Sequence, residues 1–144
     1  MEAVAAAPAD WRRRSLPVLC GCALAGAAAV VALNDPSAPG SRFPPCIFHA
    51  TTGLWCPGCG LTRGFHQLFQ GDLGSALSYN VFVPLVLVAV VAAWWNWLRE
   101  AWGHRTRRVR VPMNRWVTTG LPAVIVVYGV LRNIPWAPLQ TLAP

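Results

Sequence analysis

The stretch from Asn80 to Leu98 reads NVFVPLVLVAVVAAWWNWL and carries no charged residue. A bilayer core about 30 Å thick needs about 20 mostly apolar residues at roughly 1.5 Å rise each. This run meets that length. Working outward, Ser15 to Leu33, SLPVLCGCALAGAAAVVAL, is a second uncharged run. A third, Trp116 to Leu131, WVTTGLPAVIVVYGVL, reaches spanning length only when extended through Arg132 and Asn133 to Trp136. Hydrophobic residues make up 55% of the 144 and charged residues 12%. A soluble domain carries about 25% charge. A chain this short has too few polar residues to hide three such helices in a soluble core. The expected fold class is an all-α membrane protein with three transmembrane helices.

All twelve basic residues are Arg, and the net charge is +7. Nucleic acid is a poor explanation, because no basic face with interleaved aromatics appears away from the apolar runs. The arginines cluster at the ends of those runs. Arg12, Arg13 and Arg14 precede the first. Arg99, Arg105, Arg107, Arg108, Arg110 and Arg115 separate the second from the third. Only Arg42, Arg63 and Arg132 fall on the other side. Cytoplasmic loops carry the excess of Lys and Arg. The pattern predicts the N-terminus inside, a Cys-rich loop outside, an Arg-rich loop inside and the C-terminus outside. Trp11, Trp94, Trp95, Trp97, Trp102 and Trp116 would gather at the inner interface, and Trp55 and Trp136 at the outer one.

Triple Arg followed by an apolar stretch and Ala29 to Ala32 also describes a signal peptide. The run is long for that role, so an uncleaved helix is expected. Gly21, Ala25 and Ala29 recur every four positions, a spacing that allows close helix packing.

The resulting organisation is a disordered cytoplasmic segment 1–14, a first span 15–33 and an external Cys-rich loop 34–79. A second span follows at 80–98, then an Arg-rich cytoplasmic loop 99–115, a third span 116–136 and an external tail 137–144. Within the loop, NDPSAPGSRFPP (Asn34 to Pro45) breaks the first helix, because Pro disfavours α geometry in the residue before it. In LTRGFHQLFQ (Leu61 to Gln70), Leu61, Phe65, Leu68 and Phe69 share one helical face and Arg63, His66, Gln67 and Gln70 the other. That is a short amphipathic helix, about 61–70, lying in the outer interface. Gly71 ends it, Asp72 is placed to cap LGSALSY, and Asn80 to cap the second span with Pro84 in its first turn.

Cysteines carry the chemistry. Cys20 and Cys22 lie in the first span and read as small hydrophobes. Cys46, Cys56 and Cys59 fall in CIFHATTGLWCPGCG, on the oxidising side. Three readings compete. Cys46, His49, Cys56 and Cys59 offer a Cys3His set for tetrahedral zinc, with His66 as a substitute ligand. CPGCG resembles a rubredoxin or zinc-ribbon knuckle, though one knuckle is present where a ribbon has two. Alternatively, Cys56 and Cys59 form a Cys-x-x-Cys before a helix, where the positive helix end favours thiolate and thiol–disulfide exchange. Finally, Cys46 bonded to Cys56 or Cys59 would make a structural disulfide, as oxidising compartments permit, with one thiol left over. Around these lies a polar set of Asp35, Thr62, Arg63, His66, Asp72, Asn80, Arg132 and Asn133. Arg132 at a membrane boundary needs a partner or must snorkel, and Asp72 or Asp35 is the natural partner.

The run FPPCIFHATTGLWCPGCGLTRGFHQLFQGDLGSALSYN, with LRNIPWAPLQTLAP after the last span, resembles the DUF2752 family of small bacterial membrane proteins. The resemblance covers about residues 35–144, and its core is TGLWCPGCGLTR. It points to Thr52, Gly53, Cys56, Pro57, Cys59, Gly60, Thr62, Arg63, His66, Gly71, Asp72, Asn80, Arg132, Asn133 and Pro135. It implies a shared architecture and a shared outer-face site and supplies no reaction; the expected location is the bacterial inner membrane. The expected function is a small membrane accessory protein with a disulfide or metal-binding Cys cluster on its extracytoplasmic face. Its partners would be the lipid bilayer and another membrane protein, with zinc as the one cofactor to consider. The rival classes are a membrane thiol–disulfide oxidoreductase using Cys56 and Cys59, and a purely structural subunit of a larger complex.

Overall fold

The computed structural model describes residues 10–104 and 115–135. Among them there are six helices and no strand: α1 Asp10–Leu33, α2 Ile47–Thr52, α3 Leu61–Phe69, α4 Leu73–Tyr79, α5 Val83–Ala101 and α6 Arg115–Leu131. The expectations for segment 1–9, most of the Arg-rich loop and the external tail lie outside the described residues.

Two helical stretches, Arg13–Leu33 and Val83–Ala101, are long and apolar enough to cross a membrane. Only 6% of each apolar window is buried, whereas the core helix of a soluble protein is mostly buried. The apolar part of α6, Thr118–Leu131, is shorter. Helix α1 starts at Asp10 rather than Ser15 and so carries the three arginines within its first turns.

α1 and α5 meet closely because Gly21 has no side chain. A Cβ there would lie 2.6 Å from Trp94 Cζ2, and the Trp94 indole donates to the Pro17 carbonyl at 2.9 Å. α3 packs on α1, α4 and α5, so it is built into the helix bundle. Its buried Gly64 sits where a Cβ would come 2.5 Å from Val83 Cγ2 and 3.0 Å from the Ala76 carbonyl. α4 is capped as the sequence predicts: Asp72 accepts from the Ser75 N–H at 2.9 Å and its Oγ at 2.6 Å. Both bonds hold the carboxyl below its ordinary range, the hydroxyl contributing most.

The ends of the long helices converge. α1 finishes against α3, where His66 Nδ1 donates to the Val31 carbonyl at 2.8 Å and Gln70 Nε2 to the Ala32 carbonyl at 2.8 Å. These bonds occupy carbonyls that a helix C-terminus otherwise leaves unpaired. The turn into α5 and the turn after α6 both meet the cysteine segment. α5 begins at Val83, not Asn80. Asn80 instead closes α4 through its N–H to the Ala76 carbonyl at 3.1 Å, and its Oδ1 accepts from Phe82 N–H at 2.9 Å. Pro84 falls in the first turn of α5, where a missing N–H costs nothing.

Candidate functional site: a clamped three-cysteine knuckle

The cysteine segment contains a helix the sequence reading did not place. Cys46 is extended and precedes α2, and Gly53 ends it with φ 72° and an N–H bond to the His49 carbonyl. Only glycine adopts that left-handed geometry without strain. Thr51 and Thr52 turn their hydroxyls back onto the Ile47 and Phe48 carbonyls. These local bonds suit a six-residue helix too short to show hydrophobic periodicity.

After Trp55 the chain makes the CPGC turn, with Cys59 N–H bonding the Cys56 carbonyl at 3.0 Å and Leu61 N–H the Gly58 carbonyl at 3.1 Å. Gly60, at φ 79°, then launches α3 with no side-chain cap on its N-terminus. The turn brings the Cys56 sulfur 3.1 Å from that of Cys59 and 3.6 Å from that of Cys46. All three sulfurs lie within 4.8 Å of one another, and none of them is bonded to another. Cys59 is buried while Cys46 and Cys56 are half-buried.

Three side chains from distant parts of the sequence hold the backbone of this turn. Asn80, 1% exposed, donates from Nδ2 to the Pro57 carbonyl at 2.9 Å and the Cys59 carbonyl at 3.2 Å. Arg132, 2% exposed, donates from Nη1 to the Cys59 carbonyl at 2.8 Å and the Cys56 carbonyl at 3.3 Å, and from Nη2 to the Tyr79 carbonyl at 3.1 Å. Asn133 accepts from the Trp55 N–H at 2.8 Å and donates to the Trp55 carbonyl at 2.8 Å and the Gly129 carbonyl at 2.7 Å. Below them, Gly129 lets α6 approach the turn: a Cβ there would sit 2.9 Å from Pro57 Cγ. The Arg132 guanidinium lies 5.2 Å over the Tyr128 ring, and that ring packs edge-on to Phe82 at 4.8 Å.

The expected Arg132–Asp72 pair does not form. Asp72 spends its carboxylate on Ser75, Asp35 accepts from the Ser37 N–H at 2.7 Å, and Arg132 turns to backbone carbonyls. Two of the predicted polar residues therefore serve local turns. Asn80, Arg132 and Asn133 meet at the knuckle. Thr62 is exposed and Arg63 half-buried on α3, outside that hydrogen-bonded set. The histidines also go elsewhere. His66 caps α1, while His49 stacks on Trp55 at 3.8 Å with Nδ1 3.3 Å from the Leu54 carbonyl. The metal-binding group that closes is Cys46, Cys56 and Cys59. Gly64, Tyr128 and Gly129 were missed. The only sequence signal was small or hydroxylated residues interrupting bulky apolar stretches.

The thiols differ in acidity. Cys46 is held below the usual thiol range, chiefly by the His49 backbone N–H at the start of α2, which favours thiolate without reaching full hydrogen-bond geometry. Burial, with the neighbouring Cys56 and Cys46 thiols, pushes Cys59 up to about 12. A tetrahedral zinc with Zn–S bonds of about 2.3 Å separates its sulfurs by about 3.8 Å. The 3.6 Å pair already fits, and the 3.1 Å pair needs to open by a fraction of an ångström. Three soft donors suit zinc or another thiophilic ion.

No curated protein and no solved structure matches the chain. Arg132, Asn133 and Pro135, to which the family resemblance also pointed, lie beyond the stretch that a family description matches. From Cys46 through the knuckle, α3 and α4 into α5, residues 46–95 match the DUF2752 family, described as a protein of unknown function.

Proposed function

We propose that this is a small integral membrane protein of the bacterial inner membrane whose clamped three-cysteine knuckle binds a thiophilic metal ion, zinc first, on the extracytoplasmic face. It acts as an accessory or partner-binding protein rather than an enzyme. The observation carrying the reading is that all three loop cysteines point their sulfurs into one space, within 4.8 Å, while Asn80, Arg132 and Asn133 fix the turn that presents them. A disulfide uses two of these sulfurs, whereas a metal uses all three. The membrane assignment rests on apolar helices whose faces are open, and on the arginine distribution between them. Capping of the α1 end by His66 and Gln70 favours a retained first helix over a cleaved signal. A third span through α6 requires its end turn at Arg132 to sit near the boundary, which the knuckle carbonyls make tolerable.

A second reading, thiol–disulfide exchange, is favoured by the 3.1 Å approach of Cys56 to Cys59 and by the acidified Cys46 beside them. Native purification with metal and thiol counting decides between the two. One zinc per chain with three protected loop thiols, lost in Cys56→Ser, supports the metal site. No metal and an oxidised pair in the same preparation overturns it in favour of redox chemistry or a structural disulfide. Labelling of intact cells with a membrane-impermeant thiol reagent, after chelation and reduction, tests the face. Protection until the membrane is broken overturns the orientation.

A further inference from the structure

We infer that Arg132 is the charge partner of the metal-loaded knuckle: a buried cation that neutralises a tris-thiolate metal centre from beneath. The inference rests on the metal reading above. It names the residue that makes such a centre tolerable where the site is built.

Arg132 is the largest fully buried side chain among the described residues, at 2% exposure. A buried guanidinium is retained only where its charge and its donors are compensated. Its donors are largely satisfied, by the carbonyls of Cys56, Cys59 and Tyr79, and its Nε is buried without a partner. Its charge is not. Among the described residues no carboxylate reaches it, and the Tyr128 ring face at 5.2 Å offers only a weak attraction. Neutral carbonyls do not cancel a full positive charge.

Three thiolates bring −3 and a divalent ion +2, which leaves the loaded knuckle at −1. Two of Arg132's three acceptor carbonyls belong to ligand cysteines, so the guanidinium is bonded to the backbone that carries two of the three sulfurs. One cation against one net anion gives a neutral ensemble. The metal's own charge has to be counted in any such site, and groups behind the ligands commonly shift metal affinity about 10–100-fold. A Cys56–Cys59 disulfide carries no charge and would leave Arg132 uncompensated.

The test is a double-substitution cycle on the full-length, detergent-solubilised protein, with zinc affinity read by competition against a chromophoric chelator. Arg132→Gln keeps a donor and removes the charge. In the three-cysteine background it should weaken zinc binding about tenfold or more. In a Cys46→Ser background the loaded centre is neutral, and the same change should weaken binding by clearly less. Asn80→Ala, which removes a neutral clamp from the Pro57 and Cys59 carbonyls, should show no such dependence on background. Equal losses from Arg132→Gln in both backgrounds would reduce Arg132 to a structural clamp and overturn the inference. Should Arg132→Gln fail to fold, Arg132→Lys, whose shorter reach draws the charge away from the Cys59 carbonyl, is run through the same cycle with the same criterion. Wild-type protein that takes up no zinc removes the underlying metal reading. Zinc binding by the wild type that Arg132→Gln leaves unchanged in affinity removes this inference alone.

Discussion

Asn80 and Arg132 converge on one atom: the Cys59 carbonyl accepts from Asn80 Nδ2 at 3.2 Å and from Arg132 Nη1 at 2.8 Å. One residue precedes α5 and the other follows α6. The cysteine turn is therefore the joint that ties the end of α6 to the rest of the helices. Removing the Asn80 amide leaves the Pro57 carbonyl and the Phe82 N–H without their partners. A buried polar group stripped of its hydrogen bond costs about 1–3 kcal/mol. Asn80→Ala should lower unfolding stability in detergent by about that amount. A melting curve superimposable on wild type would show that Asn80 is not holding the turn.

α6 offers an internal comparison. Gly129 faces Pro57, and an added Cβ would lie 2.9 Å from Cγ and 3.3 Å from Cδ of a stiff ring. Gly120, two and a half turns earlier, has nothing within 4 Å of its built Cβ. Gly129→Ala should force α6 away from the turn and cost about 1–3 kcal/mol, as overpacking does. It should also weaken metal uptake, because Arg132 and Asn133 shift with the helix. Gly120→Ala should be neutral or stabilising, since Ala is the better helix former by about 1 kcal/mol. Equal effects at the two glycines would sink the idea of a close α6–knuckle contact.

Much of this arrangement was legible in the sequence. The two charge-free runs mark α1 and α5 by length and composition. The apolar face of Leu61, Phe65, Leu68 and Phe69 marks α3, and Asp72 before LGSALSY marks the cap of α4. Cys46, Cys56 and Cys59 were singled out by type and spacing. What was not legible depends on distance in the chain. Opposite charge makes Asp72 the obvious match for Arg132 in the sequence. The folded turn instead offers carbonyls whose positions no local pattern encodes. His49 and His66 looked like ligands by residue type, yet one ring finds Trp55 and the other finds the end of α1. α2 escaped because six residues capped by their own threonines show no period.

The end of α1 yields a further prediction. His66 and Gln70 reach the Val31 and Ala32 carbonyls, each at 2.8 Å. Where water is scarce, an unpaired helix-end carbonyl finds no substitute donor. The double substitution His66→Ala with Gln70→Ala should loosen this junction by about 1–2 kcal/mol, at roughly 1 kcal/mol per net hydrogen bond. Amide exchange should rise in Leu33 to Ser37 and in α3, while α5 stays protected. Unchanged exchange there would mean that α1 is held by its packing on α3 and α5 rather than by these two bonds.

The thiols give a prediction in pH. In the metal-free protein Cys46 is acidified, first by the His49 N–H, and Cys59 is pushed up to about 12, first by burial. The thiolate is the reactive form. Iodoacetamide at neutral pH should therefore label Cys46 well before Cys59, as read by peptide mass mapping over time. The same shifts set the stability. Cys59 has its folded pKa above its unfolded one, so the folded state holds the extra proton. Its contribution is complete below the ordinary thiol value of 9.0 and is lost as pH rises from there toward about 12. Cys46 acts in the opposite sense: its contribution is present above the ordinary value and fades as pH falls through its lowered one. Cys59→Ala should accordingly flatten the alkaline loss of stability, whereas Cys46→Ala should leave that loss in place. If Cys59 alkylated as fast as Cys46 at neutral pH, the buried position assigned to it within the knuckle would be wrong.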